Sequence, residues 1–70
     1  MNSVIQESLL IGRTVEFSSS KEKLEQGRIH CKVDMREHAN DTYTITGYMI
    51  EDANRKLRPI AYWRVLRIIE

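Results

Sequence analysis

Four side chains that could bind a metal ion lie close together in the middle of the chain, namely His30, Cys31, Asp34 and His38. On a helix three of them would share one face, but the surrounding residues alternate between apolar and polar, as in a strand. On a strand His30 and Asp34 lie about 13 Å apart, too far to share one ion at about 2 Å from each ligand. We therefore expect no metal site and no cofactor.

The candidate nucleophiles lack the partners that catalysis requires. Cys31 falls on the apolar side of the predicted strand, and a buried thiol is not an accessible thiolate. The serines at 18–20 have no glycine elbow or nearby histidine, and the chain has no glycine-rich phosphate loop. Glu51 and Asp52 lie in a predicted turn, where we expect solvation. The sequence predicts a protein that is not an enzyme and has no small-molecule substrate.

Basic residues near the C-terminal end are the strongest functional signal. The net charge of +1 hides a split, since residues 1–54 carry six Lys or Arg against nine Asp or Glu, whereas residues 55–70 carry five against Glu70 alone. Basic residues interleaved with Tyr62 and Trp63 can contact phosphates and stack on bases. The candidate nucleic-acid-binding residues are Arg55, Lys56, Arg58, Arg64 and Arg67.

Other interpretations of this segment stay open. Tyr62 and Trp63 could fill the core while the arginines solvate the closing strand or pair with the acidic part of the chain. A net charge of +1 is low for a protein that depends on phosphate contacts, unless the charge is segregated in space. The chain could instead bind a protein, as an inhibitor or adaptor, through an edge strand or an apolar surface, including a homodimer contact.

The element that positions these residues is the stretch from Gly27 to Arg36, in which odd positions are apolar and even positions are polar. This period of two predicts a strand with one apolar face. We expect His30 and Lys32 to face water. The predicted core contains Ile29, Cys31, Val33 and Met35 together with Val15 and Phe17.

The flanking segments predict a short helix, turns and further strands. Ser3 could cap a helix over residues 3–11 that Gly12 ends, although its last three residues could equally begin a strand. Turns are predicted at residues 38–41 and 51–56, because Asn and Asp can bond their own backbone there.

The second half of the chain has strand composition. The composition of Thr42 to Ile50 predicts a strand. Its large apolar residues change from odd to even positions at Gly47, which predicts a bulge there. Pro59 marks an edge strand or the start of a strand. Residues 60–69 predict either one strand buried on both faces or two short strands separated by a tight turn near Trp63.

These elements predict an all-β domain, either a small barrel or a strongly bent antiparallel sheet of four or five strands. Residues 1–70 form a single domain in this interpretation, with 1–11 as a helix or arm and 12–70 as a β-barrel. A single cysteine excludes an internal disulfide. Without an apolar run of roughly 18 residues or a secretory signal, we expect a cytoplasmic protein with no membrane contact.

The layout resembles small SH3-like barrels of the KOW, Tudor or Sm kind over residues 10–69. The resemblance rests on Gly12–Val15, a polar loop, Gln26–Ile29, two hairpins and the closing segment Trp63–Ile68. It implies a non-enzymatic module whose loops or edge strand hold a protein segment or a nucleic acid, and leaves the choice open. On size and absence of targeting signals, we expect an accessory or regulatory binding module of a bacterium or phage.

Overall fold

A computed structural model describes residues 10–70 as one antiparallel sheet of five strands. The predicted helix falls mainly on residues 1–9, outside the described residues. The strands are β1 Thr14–Ser20, β2 Lys23–Met35, β3 Ile45–Glu51, β4 Leu57–Ala61 and β5 Val65–Ile68, with a 3₁₀ turn at Tyr62–Arg64. The strand order is β4-β3-β2-β1-β5. The mainly-β fold predicted from the sequence is confirmed.

The sheet is bent but does not close into a barrel, because β4 and β5 form its two edges within residues 10–70. The 13-residue strand β2 serves both halves of the sheet. Its first half pairs with β1 and its second half with β3. The side chains of Arg58 on β4 and Glu25 on β2 meet although β3 separates their strands. The sheet therefore folds over itself around one core.

The core lies inside this bend and contains Val15, Phe17, Ile29, Tyr48, Ile50, Ile60 and Ala61. Gly27 is buried opposite Val15. A Cβ atom on Gly27 would lie 2.5 Å from Cγ2 of Ile50 and 3.2 Å from Cε1 of Phe17. Glycine therefore lets these two core side chains reach the backbone of β2.

A bulge at His30 divides β2. Ile29 lies opposite Ile50, whereas Cys31 lies opposite Met49, so that His30 is one residue more than β3 can match. Residues directly opposite each other on neighbouring strands share a face of the sheet. The bulge therefore turns the odd positions after Ile29 away from the face that Ile50 occupies.

The predicted burial of β2 is wrong beyond this bulge. Cys31 is exposed, and Val33 and Met35 are only half-buried instead of joining the core. His30 and Lys32 are exposed, as the alternation predicted. The unbroken sequence pattern thus spans a strand whose register shifts by one residue.

The bulge predicted at Gly47 is also wrong, since the described pairing of β3 with both neighbours runs through this residue without a shift. Gly47 is required for a different reason. A Cβ atom there would collide with Sδ of Met35 and lie 2.8 Å from the carbonyl oxygen of Ile60. Glycine therefore accommodates the close approach of a side chain from β2 and the backbone of β4.

The strand predicted from Thr42 to Ile50 is present as β3, but it begins only at Ile45. Further predictions for this part of the chain are confirmed. Pro59 lies on the edge strand β4, and a 3₁₀ turn containing Trp63 separates two short strands. In the turn at residues 38–41, the backbone N–H of His38 donates to the Asp41 carboxylate at 3.1 Å. None of the helices described within residues 10–70 has the length and hydropathy to cross a membrane.

Candidate functional site

Arg58 is the basic candidate most firmly held by the fold. Its Nη1 lies 3.0 Å from Oε1 of Glu25 and 3.4 Å from Oδ2 of Asp52. Its guanidinium carbon also lies 5.7 Å from the ring centroid of Phe17, within the range of a cation–π contact. Arg58 therefore joins β4, β2 and the β3–β4 turn above the core.

Asp52 organises the turn beside Arg58. Its Oδ1 accepts hydrogen bonds from the backbone N–H groups of Asn54 at 2.9 Å and Lys56 at 3.0 Å. The Lys56 bond, then the Asn54 bond and Arg58, hold the pKa of the Asp52 carboxyl below its ordinary value despite desolvation. Arg55 adopts a left-handed φ of 64° within the same turn.

Arg64 and Arg67 also meet carboxylates from the acidic part of the chain. Nη2 of Arg64 lies 3.5 Å from Oε2 of Glu37. Nε of Arg67 lies 3.0 Å from Oε1 of Glu16 on the neighbouring strand β1. With Arg58, three of the five candidate residues thus form ion pairs, which reduces the positive charge that they present to solvent.

Arg55 and Lys56 differ from these three arginines. Both are exposed, and neither side chain makes an ion pair within residues 10–70. They lie in the β3–β4 turn, which does not belong to the closing strand. The structure thus spreads the predicted basic segment over a turn, an edge strand, a 3₁₀ turn and the opposite edge.

Tyr62 and Trp63 lie on the surface, so the interpretation in which they fill the core is wrong. Their side chains are 54% and 46% exposed. Their ring centroids are 5.3 Å apart with an interplanar angle of 79°, an edge-to-face pair. This pair directly precedes β5, which carries further exposed apolar residues.

We call the exposed apolar side chains in this part of the chain the C-terminal surface. They are Tyr62, Trp63, Leu66, Ile68 and Ile69. Val65 alone in this segment packs against the core as a partly buried residue. The C-terminal segment therefore exposes five large apolar side chains, and the two arginines among them are paired with carboxylates.

The two edges of the sheet differ in their capacity to accept another strand. Pro59 interrupts the N–H groups of β4, and a proline is one of the devices that protect an edge strand. β5 contains no proline, and β1 is its only partner within residues 10–70. A bulge at Leu66, which is also a device that protects an edge, interrupts the pairing of β5 with β1. The exposed apolar side chains nevertheless make β5 the edge that better fits an added apolar strand.

A cleft of about 340 Å³ lies between the end of β1 and β4. Arg58 and Arg64 line it, but both already contact carboxylates. Ser19 also lines it, and its hydroxyl lowers the pKa of the Glu25 carboxyl more than Arg58 does. The groups around the cleft thus serve mainly to hold the two halves of the sheet together.

The residues considered for metal binding are not assembled into a site. Nε2 of His30 lies 3.0 Å from Oε1 of Glu51 on the neighbouring strand. Over residues 10–70 no three His, Cys, Asp or Glu side chains gather where they could hold a metal ion. His30 thus acts as the partner of one carboxylate.

Sequence reasoning missed the C-terminal surface, although a signal was present. In the segment from Val65 to Ile69, apolar residues occupy both odd and even positions. This pattern suggested a strand buried on two faces. Within residues 10–70, β5 is an edge strand, and no second layer covers β5 or the aromatic pair before it. The same composition then describes an exposed apolar strand.

Comparison of the chain with protein-family models, with curated proteins and with solved structures found no match. The candidate sites therefore rest on the geometry of this chain.

Proposed function

We propose that this chain is a small non-enzymatic protein-interaction module that binds an extended apolar segment of a partner protein at β5. The observation that carries the proposal is the C-terminal surface, where five large apolar side chains, each 39–54% exposed, accompany an edge strand without proline. In strand addition, backbone hydrogen bonds supply affinity and side chains supply specificity. An accessory or regulatory role in the cytoplasm belongs to the same proposal.

The charges around this surface favour a protein segment over a nucleic acid. Arg64 and Arg67 flank the aromatic pair, but Glu37 and Glu16 lie within 3.5 Å of them. A phosphate would have to compete with these carboxylates for each guanidinium. An apolar peptide would leave both ion pairs in place.

Selection of random peptides displayed on phage tests the proposal. We expect enriched peptides with alternating apolar residues, and fluorescence anisotropy should show that Leu66→Lys weakens their binding at least tenfold. Leu24→Lys is the matched control, because Leu24 is a similarly exposed leucine on β2. Equal binding by both variants, or no enriched peptide, would contradict the proposal.

A nucleic acid is the second candidate ligand, and the exposed side chains of Arg55 and Lys56 favour it. If they contact phosphates, each alanine substitution should reduce the salt dependence of binding by about one unit. The melting temperature should change little, since neither side chain makes an ion pair within residues 10–70. Mobility shifts with single-stranded and duplex oligonucleotides at low salt measure this. No shift at about 10 µM protein would exclude this candidate.

A further inference from the structure

We propose that the segment bound at β5 is the β5 strand of a second copy of this chain. The two edges pair antiparallel about a two-fold axis, and the two five-stranded sheets become one continuous sheet of ten strands. This inference rests on the proposed function, because it names the partner of the C-terminal surface.

The balance of apolar residues is the first support. Within residues 10–70, nine large hydrophobic residues are exposed, whereas the buried hydrophobic core has seven members. A chain of 70 residues buries only roughly 60% of its unfolded surface and gains from association. A second copy supplies the missing cover for the largest run of these exposed residues, which lies between Tyr62 and Ile69.

The available area is the second support. The five side chains of the C-terminal surface are each near half exposed, and at roughly 200 Å² for a side chain of this size they present on the order of 500 Å² per copy. Complete cover of all five side chains on both copies would remove on the order of 1,000 Å² from water, which is the lower limit for a specific interface. We therefore expect a weak and reversible dimer.

The sequence of β5 selects the position of the two-fold axis. In an antiparallel pair of identical strands, one residue lies opposite its own copy. Arg67 on the axis would oppose two guanidinium groups. Leu66 is a poor axis residue for a different reason. It is the extra residue of a bulge, because Arg67 and Val65 pair with consecutive residues of β1. Ile68 on the axis brings two apolar side chains together and separates the two arginines.

Sedimentation velocity over a range of concentrations tests the dimer. We expect wild-type protein to change from monomer to dimer, and Ile68→Lys and Leu66→Lys to raise the dissociation constant at least tenfold. Leu24→Lys, an exposed leucine on β2, should dimerise like wild type. Circular dichroism shows which variants are folded. If Ile68→Lys does not fold, the Leu66→Lys variant decides the outcome.

Disulfide formation tests the axis. In a Cys31→Ser background, single cysteines at Leu66, Arg67 and Ile68 are oxidised mildly. Directly opposite residues have Cα atoms about 4.5–5.5 Å apart, which suits a disulfide. We expect Ile68→Cys to cross-link fastest.

The outcomes separate the two proposals. A wild-type monomer at every concentration would overturn the homodimer. If Leu66→Lys still weakened the binding of selected peptides, the proposed function would stand without the homodimer. A dimer that survives both lysine substitutions would place the interface elsewhere and overturn the inference. Fastest cross-linking at Leu66 or Arg67 would overturn the axis at Ile68.

Discussion

Arg58 and Glu25 lie 33 positions apart on strands that are not neighbours, and Nη1 of Arg58 meets Oε1 of Glu25 at 3.0 Å. This contact crosses the open side of a bent sheet, which no backbone ladder closes within the part of the chain that the structure describes. Because the same guanidinium lies against Phe17, the ion pair sits directly above the core. Arg58 therefore serves mainly to hold the fold, although the sequence suggested a nucleic-acid contact.

Arg58→Ala should lower the free energy of unfolding by about 1 kcal/mol, because it removes the contact with Phe17 and the packed side-chain stem. A change of this size corresponds to a fall of about 4–8 °C in melting temperature. Arg67→Ala is the control, since its side chain is 68% exposed and such pairs contribute about 0–1 kcal/mol. Equal melting temperatures for the two variants would show that Arg58 does not join the halves of the sheet.

Acid should destabilise the fold through Asp52. The folded state holds the pKa of Asp52 below its ordinary value, chiefly through the Lys56 and Asn54 backbone hydrogen bonds. The unfolded chain therefore binds the proton first, so this stabilisation is complete above the ordinary value of 3.8 and is lost as pH falls through the lowered pKa. Denaturant titrations from about pH 2 to 6 should show a shallower decline for Asp52→Asn. The same slope in both proteins would contradict this assignment.

Gly27→Ala should strongly destabilise the fold. Its Cβ would lie 2.6 Å from the carbonyl oxygen of Glu51 and 2.5 Å from Ile50, and overpacking of this kind typically costs about 1–3 kcal/mol or more. Gly12→Ala offers a contrast, because nothing lies within 4 Å of its Cβ and only the φ of +84° opposes it. We expect a loss of about 1–2 kcal/mol there. Urea denaturation of both variants measures the difference.

Ile29 and Cys31 should differ in their tolerance of substitution, because the bulge at His30 separates them. The sequence pattern alone places both in the core. Ile29→Ala should lower the free energy of unfolding by about 2–5 kcal/mol, because the side chain is fully buried. Cys31→Ser should change it by no more than about 0.5 kcal/mol, because Cys31 is exposed. Comparable losses in thermal melts of the two variants would mean that Cys31 shares the core face.

The alternation of apolar residues predicted burial correctly where it is not interrupted by the bulge in β2. It identified Val15, Phe17 and Ile29, because Val15 and Phe17 alternate along β1 and Ile29 precedes the bulge on β2. It could not locate the extra residue at His30, since a bulge depends on how β3 aligns with β2. The polar side chain of His30 is compatible with either register.

The residues of the candidate site were predictable from the sequence, but their contacts were not. The sequence identifies the arginines near the C-terminal end, but their pairing with Glu16, Glu25 and Glu37 depends on strand order. The exposure of Leu66 likewise depends on β5 being an edge strand. Local sequence does not distinguish an edge strand from a central one when both are apolar.

Amide hydrogen exchange of β5 tests most directly whether this edge binds an extended protein segment. The measurement compares dilute protein alone with the same protein carrying a peptide selected by display. We predict that amides of Val65–Ile68 exchange at least tenfold more slowly in the complex, while those of the β4 edge and of the turn at Asp52 are unchanged. Unchanged exchange at β5, or protection confined to the turn with Arg55 and Lys56, would contradict this account.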